Sequence, residues 1–320
     1  MDTLLLLLGL GLILAGANFL TDGSAALAQR FRVPEFIIGL TVVAVGTSTP
    51  ELVVSVLSAA AGKSDVAIGN VVGSNIFNTL AILGICALIR PVPLTRGNIR
   101  RDIPLGLAVS LLLLACTSDS FVRPGAEDRI GRGEGILFLV LYLIVMLLTI
   151  RRTARREPPA EAAAENPARP QRAVWITAAM ILGGLAALVG GGELFLDHAT
   201  SIARKLGVSE SVIAITLVAG GTSLPELASS AVSLLKGKAE MALGNVVGSN
   251  IANILLILGT SATIRPLTLG GITFIDIAMV ALCSALLLLT AFTFRKKEID
   301  RWEGALFLAV YAAYLAYLIR

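Results

Sequence analysis

The sequence predicts an all-α membrane protein of ten transmembrane helices, arranged as two inverted five-helix repeats with broken motif helices. Hydrophobic residues fill 56% of the 320 positions and charged residues only 15%, a composition typical of a polytopic membrane protein rather than a soluble domain. Apolar runs of roughly 17 to 25 residues, the length that a spanning helix needs, recur along the chain. A segment of the first half also returns in the second half, which predicts the two-fold organisation.

The apolar runs predict ten spans. The first run begins near the amino terminus, as a signal peptide would, but no positively charged leader precedes it, so we interpret it as a retained span. We predict spans at residues 3–20, 34–60, 65–89, 102–118, 134–150, 173–196, 208–235, 240–264, 272–293 and 303–319.

One long hydrophilic stretch, residues 151–172, interrupts these runs with the sequence RRTARREPPAEAAAENPARPQR. Its Pro, Ala and Glu content without apolar periodicity predicts a flexible linker. We interpret its basic start as a solvated flank rather than as a lipid-binding element. The predicted organisation is therefore a first five-span repeat at 1–150, a linker at 151–172 and a second five-span repeat at 173–320.

The distribution of Lys and Arg predicts the orientation in the membrane. Of the 26 basic residues, 18 lie in alternate loops that share one side, and basic loops are typically cytoplasmic. Both termini are then extracytoplasmic and the linker is cytoplasmic, in a plasma membrane that would be the cell inner membrane of a bacterium. Because this topology accounts for the net charge of +4, we expect no nucleic-acid partner.

An internal repeat with a constant offset of 175 residues relates the two halves. Residues 33–51 match 208–226 at 11 of 19 positions, and residues 62–78 match 237–253 at 12 of 17. Equivalent points are separated by five spans, an odd number, so the second copy must face the opposite way across the bilayer. Inverted repeats of this kind are typical of secondary transporters that bind their substrate near the midplane.

Each repeat carries one glutamate, Glu51 or Glu226, beside a predicted helix break. Pro50 and Pro225 lack the amide hydrogen that a continuous helix uses, and a charge near the bilayer centre costs roughly 2.5 to 3.5 kcal/mol on insertion scales. A kinked helix could use such residues for packing alone, but no Lys or Arg lies in the middle of a predicted span to neutralise the glutamates. We therefore predict that the two carboxylates meet and hold a cation.

The oxygen atoms around the breaks match the ligands that Ca²⁺ prefers. Ca²⁺ binds roughly six to eight oxygens from carboxylates, carbonyls and water. A broken helix frees backbone carbonyls, such as those of Ala44 and Ala219. The side-chain oxygens that complete the predicted set belong to Thr47, Ser48, Glu51, Thr222, Ser223 and Glu226.

A second duplicated motif, GNVVGSN, opens at residues 69 and 244. Asn70, Ser74 and Asn78 recur every four positions and so share one helix face, as do their equivalents Asn245, Ser249 and Asn253. Helix packing alone could explain both the glycines and the amides. Because the pattern occurs twice, beside two glutamates, we predict further ligands at Ser74, Asn78, Ser249 and Asn253.

These residues resemble the sodium/calcium exchangers of the wider calcium/cation antiporter superfamily, in their prokaryotic ten-span form. GTSTPE at 46–51 with GSNIFN at 73–78 is similar to the first α-repeat of that family, and GTSLPE at 221–226 with GSNIAN at 248–253 to the second. The resemblance implies that Glu51 and Glu226 coordinate Ca²⁺ directly. It also implies that Na⁺ and Ca²⁺ sites draw oxygens from Thr47, Ser48, Ser74, Thr222, Ser223 and Ser249 and the carbonyls of Ala44 and Ala219. The implied mechanism is antiport by alternating access, in which the first and sixth spans slide across a fixed core.

One residue departs from this resemblance. Many sodium/calcium exchangers have Asp where this chain has Asn253, the equivalent of Asn78. The predicted site then holds two formal negative charges, which balance one Ca²⁺ or two monovalent ions. We therefore expect the stoichiometry, the electrogenicity and even the coupling ion to depend on this position.

Three alternatives stay open beside Ca²⁺/Na⁺ antiport. The same fold could couple Ca²⁺ to H⁺ or K⁺, although Thr and Ser-Leu-Pro beside the glutamates resemble the sodium-type sequence. A passive cation channel would use similar residues. An intramembrane hydrolase would need a nucleophile with a catalytic His, and the single histidine lies far from the duplicated motif. We expect no enzyme activity, no cofactor other than the transported ions and no obligate protein partner.

The histidine and the cysteines are interpreted as packing residues. His198 follows Asp197 and lies near Glu193, but no further ligand of the usual metal-binding set is close in sequence. The three cysteines, at 86, 116 and 283, fall in or at the end of apolar segments without a CxxC pair. Free cysteine is commonly buried, so we predict neither disulfides nor metal ligands.

Overall fold

The computed structural model describes residues 1–118, 128–154, 173–207, 219–293 and 297–318. Most of the predicted linker, 151–172, lies outside these ranges. The helices of the first half are α1 Asp2–Phe31, α2 Glu35–Ile38, α3 Ala44–Thr47, α4 Thr49–Ala60, α5 Ser64–Ile76, α6 Leu83–Ile89, α7 Ile103–Cys116 and α8 Arg132–Ala154. Those of the second half are α9 Val174–Lys205, α10 Ala219–Gly221, α11 Leu224–Leu235, α12 Ala239–Ala252, α13 Gly259–Ile264, α14 Phe274–Thr290 and α15 Arg301–Leu318.

Four π-helical turns join or precede these helices, at Gly39–Val43, Phe77–Ile82, Asn98–Asp102 and Asn253–Leu258. The described residues also contain four two-residue strands: β1 Val92–Pro93, β2 Arg129–Ile130, β3 Leu267–Thr268 and β4 Glu298–Ile299. β1 pairs antiparallel with β4, and β2 with β3. Neither the π-turns nor the strand pairs were predicted, because each depends on contacts that a hydropathy pattern does not encode.

Among the described residues, five helical runs are long and apolar enough to cross a membrane: Asp2–Phe31, Ser64–Ile89, Arg132–Arg151, Val174–Lys205 and Ala239–Ile264. The broken pair Glu35–Thr47 with Thr49–Ala60 makes a sixth. The apolar helices α11 and α14 are shorter. The all-helical class is confirmed, and the count of ten spans stays a prediction.

The first helix continues eleven residues beyond its predicted end at residue 20. Thr21, Ser24, Ala25 and Ala28 in this extension are all buried. The helix ends at Phe31, and its cap residue Arg32 takes the left-handed conformation with φ of 53° and donates its amide hydrogen to the Ala28 carbonyl, as helix C-caps commonly do. An apolar-run criterion misses such an extension because small and polar residues form its buried face.

The chain divides into two compact units, Met1–Thr47 with Val145–Gly248 and Ser48–Ile144 with Ser249–Arg320, here called unit 1 and unit 2. Each unit contains residues from both sequence repeats. The predicted division at 1–150, 151–172 and 173–320 follows the repeat in the sequence, whereas these units follow packing. The predicted division stays a prediction.

Unit 1 is built on the contact between α1 and α9. A side chain at Gly9 would lie 2.9 Å from the Gly191 carbonyl, and one at Gly16 would lie 2.7 Å from the Gly184 carbonyl. Only glycine permits such close backbone approach. As the residue number increases along α1, the number of the contacted residue in α9 decreases, so the two helices run antiparallel.

Unit 2 uses glycine in the same way. A side chain at Gly84 in α6 would lie 3.1 Å from the Gly304 carbonyl in α15, and one at Gly135 in α8 would lie 2.9 Å from the Gly259 carbonyl in α13. Close helix contacts of this kind replace the hydrophobic driving force that is absent between helices in lipid.

The cysteines and the histidine are not grouped into a metal site among the described residues. Cys86 and Cys283 are buried, Cys116 is half-buried, and all three are free thiols. His198 Nδ1 lies 3.2 Å from Asp2 Oδ1, so it connects α9 to the start of α1 within unit 1.

Candidate cation site

Both predicted helix breaks are present. Ser48 separates α3 from α4 with φ of −80° and ψ of 11°, and Ser223 precedes α11 with φ of −90° and ψ of 9°. Proline follows in the first turn of each half-helix, where its missing amide hydrogen costs nothing. Glu51 and Glu226 therefore occupy first turns, where the positive end of the helix dipole favours ionised carboxylates.

The predicted ligands are buried almost without exception. Glu51 and Glu226 are each 0% exposed, which is unusual for glutamate unless the carboxylate is paired or binds a metal. The other predicted ligands that are buried are Ala44, Thr47, Ser48, Ser74, Asn78, Ser223, Ser249 and Asn253. Thr222 is half-buried, and its hydroxyl oxygen is inaccessible to solvent and has no hydrogen-bond partner among the described residues. Ala219 begins α10.

The predicted ligands that lie in one unit are here called a half-site. The unit 1 half-site contains Ala44, Thr47, Ser223 and Glu226. The Thr47 hydroxyl lies 3.0 Å from the Val43 carbonyl, 3.4 Å from the Ala44 carbonyl and 3.2 Å from Asn245 Oδ1. The predicted free carbonyl of Ala44 is therefore shared with a hydroxyl. The amide nitrogen of Asn245 lies 3.4 Å from the Glu226 carbonyl, so one asparagine connects the two broken segments within this unit.

The unit 2 half-site contains Ser48, Glu51, Ser74, Asn78, Ser249 and Asn253. Ser74 Oγ lies 3.5 Å from Glu51 Oε1, so the two predicted ligands are brought together. Asn70 donates to the Glu51 carbonyl at 3.1 Å and to Ser55 Oγ at 2.9 Å. This asparagine holds the backbone of the glutamate while leaving its carboxylate for other contacts.

The same bracing occurs in both half-sites at the offset of 175 residues. Asn245 donates to Ser230 Oγ at 2.9 Å and to the Glu226 carbonyl, as Asn70 does to Ser55 and Glu51. The helix period of the motif predicts that both asparagines lie on its polar face, but it does not predict this bracing role. The signal available was their occurrence in both copies of GNVVGSN.

Asn78 and Asn253 each lie at the start of a π-helical turn that widens the helix, a distortion often found at functional sites. Each amide nitrogen donates to another asparagine within unit 2, whereas each Oδ1 is buried and has no hydrogen-bond partner in the described part of the chain. The Ser249 hydroxyl oxygen is likewise buried and has no hydrogen-bond partner in the described part of the chain. A buried acceptor without a donor is costly unless water or an ion satisfies it.

The chemistry of this donor set suits a hard cation. It consists of carboxylates, hydroxyls, amide oxygens and backbone carbonyls, the ligands that Ca²⁺ and similar ions prefer. The described residues contain no grouping of three or more His, Cys, Asp and Glu that would indicate a transition-metal site. The prediction that Glu51 and Glu226 share one ion stays a prediction, since the structure describes each half-site within its own unit.

The family model described as sodium/calcium exchanger protein matches residues 1–151 and 176–320. The chain belongs to the sodium/calcium exchanger family. The predicted resemblance is therefore confirmed, and with it the expectation of a transporter rather than an enzyme. The described helices that are long and apolar enough to cross a membrane, in a chain of this family, confirm the prediction of a multi-pass membrane protein as well.

Two relatives and one solved structure match almost the whole chain. The sodium/calcium exchanger MaX1 of Methanosarcina acetivorans is 33% identical over 98% of this chain and 97% of its own. The inner membrane protein YrbG of Escherichia coli is 33% identical over 99% of this chain and 96% of its own. The sodium-calcium exchanger NCX_Mj, solved after soaking without Na⁺ and Ca²⁺, has a TM-score of 0.83 and 32% identity over 99% of this chain and 98% of that one.

Proposed function

We propose that this chain is a secondary active antiporter that exchanges Ca²⁺ for Na⁺ across the plasma membrane by alternating access. The observation that carries the proposal is a pair of fully buried glutamates, Glu51 and Glu226, each in the first turn of a half-helix that follows a break. A buried carboxylate must be paired, protonated or bound to a cation. Because the chain belongs to the sodium/calcium exchanger family, we interpret the two buried carboxylates as cation ligands.

The ligands for Ca²⁺ and Na⁺ in this proposal are the twelve residues predicted from the sequence. The two carboxylates balance the charge of one Ca²⁺. The remaining oxygens come from hydroxyls, amides and carbonyls, whose total number meets the needs of either ion. Na⁺ and Ca²⁺ then compete for overlapping ligands, and this competition is what couples their movements.

Three observations support two inverted repeats of five spans each. α1 and α9, the first and sixth predicted spans, run antiparallel within unit 1. Their glycine contacts are related by the repeat, because Gly184 and Gly191 lie 175 residues after Gly9 and Gly16. The asparagine braces of the two half-sites follow the same offset. Under this proposal the termini are extracytoplasmic and residues 151–172 are cytoplasmic.

Ion exchange in liposomes tests the function directly. Purified protein is reconstituted into liposomes loaded with Na⁺, K⁺ or acidic buffer, and uptake of radiolabelled Ca²⁺ is measured after dilution. We expect uptake only under the outward Na⁺ gradient, and its loss when a sodium ionophore collapses that gradient. Liposomes without protein are the control. Uptake that needs no ion on the opposite side would indicate a channel, and uptake driven only by H⁺ or K⁺ would contradict Na⁺ coupling.

Asn253 stands where many sodium/calcium exchangers have Asp, so the choice of coupling ion is tested at this position. We predict that Asn253→Asp adds a third negative charge to the ligands and raises the number of cations bound per cycle. The membrane potential at which net Ca²⁺ flux reverses should therefore shift relative to wild type at fixed gradients. It is measured in liposomes whose potential is clamped with K⁺ and valinomycin. An unchanged ion dependence and reversal potential would contradict a role for this position in stoichiometry.

A further inference from the structure

Four asparagines and a threonine form a hydrogen-bonded network in unit 2, between α5 with its π-turn and the end of α12 with its own. Asn253 Nδ2 donates to Asn75 Oδ1 at 2.9 Å, and Asn78 Nδ2 donates to Asn250 Oδ1 at 3.2 Å. Asn75 Nδ2 donates to the Asn250 backbone carbonyl at 3.3 Å, and Asn250 Nδ2 to Thr79 Oγ1 at 2.8 Å. The first two bonds are equivalent under the offset of 175 residues. Neither Asn75 nor Asn250 is among the predicted ligands.

We propose that Asn75 and Asn250 are positioning residues that turn the side-chain oxygens of Asn253 and Asn78, rather than their NH₂ groups, toward the transported cation. This inference rests on the proposed function, because it takes Asn253 and Asn78 as cation ligands. It assigns the two neighbouring asparagines a part in binding without any contact to the ion.

The direction of the Asn253 amide follows from a backbone group. The carbonyl of Asn250 can only accept, so the Asn75 nitrogen must face it. The Asn75 oxygen therefore faces the other way and accepts from the Asn253 nitrogen, which leaves the Asn253 oxygen on the opposite side. That oxygen is buried and accepts no hydrogen bond from any residue that the structure describes.

The Asn78 amide is held less firmly. Asn250 donates to the Thr79 hydroxyl, which can both donate and accept and so does not force one orientation of the Asn250 amide. The position equivalent to Thr79 is Ile254, so the two sides of the network differ at this point. We therefore expect substitution of Asn75 to disturb cation binding more than substitution of Asn250.

The orientation matters because the two ends of an amide have opposite polarity. An amide oxygen is a ligand for a hard cation, whereas the NH₂ group repels it. An aspartate at the same position has two oxygens and no NH₂ group. An orienting partner is therefore necessary for an asparagine ligand and dispensable for an aspartate ligand.

This difference provides a double-mutant test on the full-length protein in detergent. The Ca²⁺ concentration that gives half-maximal thermal stabilisation is measured for wild type, Asn75→Leu, Asn253→Asp and the combination of the two. We expect Asn75→Leu to raise this concentration about tenfold in the wild-type background, the effect of losing one orienting hydrogen bond, and by less than about twofold when Asn253→Asp is also present. Ser284→Ala is the matched control, since it removes a buried hydrogen bond to Ser110 in the same unit and should leave half-saturation unchanged.

A second variant separates orientation from packing. Asn75→Asp keeps an acceptor for the Asn253 nitrogen and removes the donor to Asn250, and the negative charge that it adds favours cation binding, so half-saturation should rise by no more than about threefold above wild type. Equal losses from Asn75→Leu in both backgrounds, or a tenfold loss in Asn75→Asp, would overturn the inference. Stabilisation of wild type by Ca²⁺ without exchange in liposomes would overturn the proposed function alone, whereas no stabilisation by Ca²⁺ would overturn both.

Discussion

Glu51→Gln and Glu226→Gln are each expected to reduce Na⁺-dependent Ca²⁺ uptake about a hundredfold or more, to the level of protein-free liposomes. The substitution keeps the size of the side chain and removes the charge of one of the two buried glutamates, which together are proposed to balance the charge of Ca²⁺. Losing one partner of a buried charge interaction costs roughly 2 to 5 kcal/mol, and each 1.4 kcal/mol is about tenfold in affinity. Initial uptake of radiolabelled Ca²⁺ under an outward Na⁺ gradient measures the effect.

Glu35→Gln is the matched control for these variants. Glu35 lies in the same repeat as Glu51, at the start of α2, and pairs with Lys238 at a partly exposed position with a 2.5 Å contact. Exposed ion pairs contribute little to stability, so uptake should remain near the wild-type rate. Substantial Ca²⁺ uptake by Glu51→Gln and Glu226→Gln, in protein that is folded and incorporated as well as wild type, would refute their assignment as Ca²⁺ ligands.

Gly248→Ala is expected to lower the thermal unfolding midpoint by about 4 °C or more, whereas Gly73→Ala should leave it unchanged or raise it. The two glycines are equivalent under the sequence repeat. A side chain at Gly248 would lie 2.4 Å from the Leu40 carbonyl and 2.8 Å from the Ala44 methyl group, both in unit 1. A side chain at Gly73 would have no described atom within 4 Å. Alanine in an open helix gains up to about 1 kcal/mol over glycine.

The comparison separates close helix packing from helix propensity, because both substitutions are identical and both positions lie inside helices. Thermal unfolding of the two purified variants in the same detergent measures it. Equal midpoints for the two variants would show that the close approach at Gly248 does not limit stability. Since Ala44 is a predicted carbonyl ligand, Gly248→Ala should also weaken Ca²⁺ uptake, and Gly73→Ala should not.

The candidate site was predictable because it consists of residue types that are rare in membrane-spanning segments. Glu51 and Glu226 stand out as charges in apolar runs, and Pro50 and Pro225 mark the breaks that the structure contains. Their recurrence at one offset adds a second, independent signal. Buried positions for Ser74 and Asn253 followed from the helix period of the duplicated motif.

Other features could not be predicted because they depend on which helices pack together. The extension of α1 to Phe31 depends on buried small residues, and the β1–β4 pair joins segments about 200 residues apart in the chain. The π-turns at Asn78 and Asn253 shift the helix register by one residue. Helix packing alone could explain the glycines of the second motif, and the structure shows a close backbone contact at Gly248 but, within the described residues, none at Gly73.

The membrane class, the duplicated motif, the pair of intramembrane glutamates and the family resemblance all follow from the amino-acid sequence, because composition and repetition do not depend on folding. The orientation of the polar groups depends instead on how the chain folds. The amide nitrogens of Asn70 and Asn245 face glutamate carbonyls, and those of Asn78 and Asn253 face other asparagines. An asparagine has a donor end and an acceptor end, and the neighbours that turn it come from distant parts of the chain.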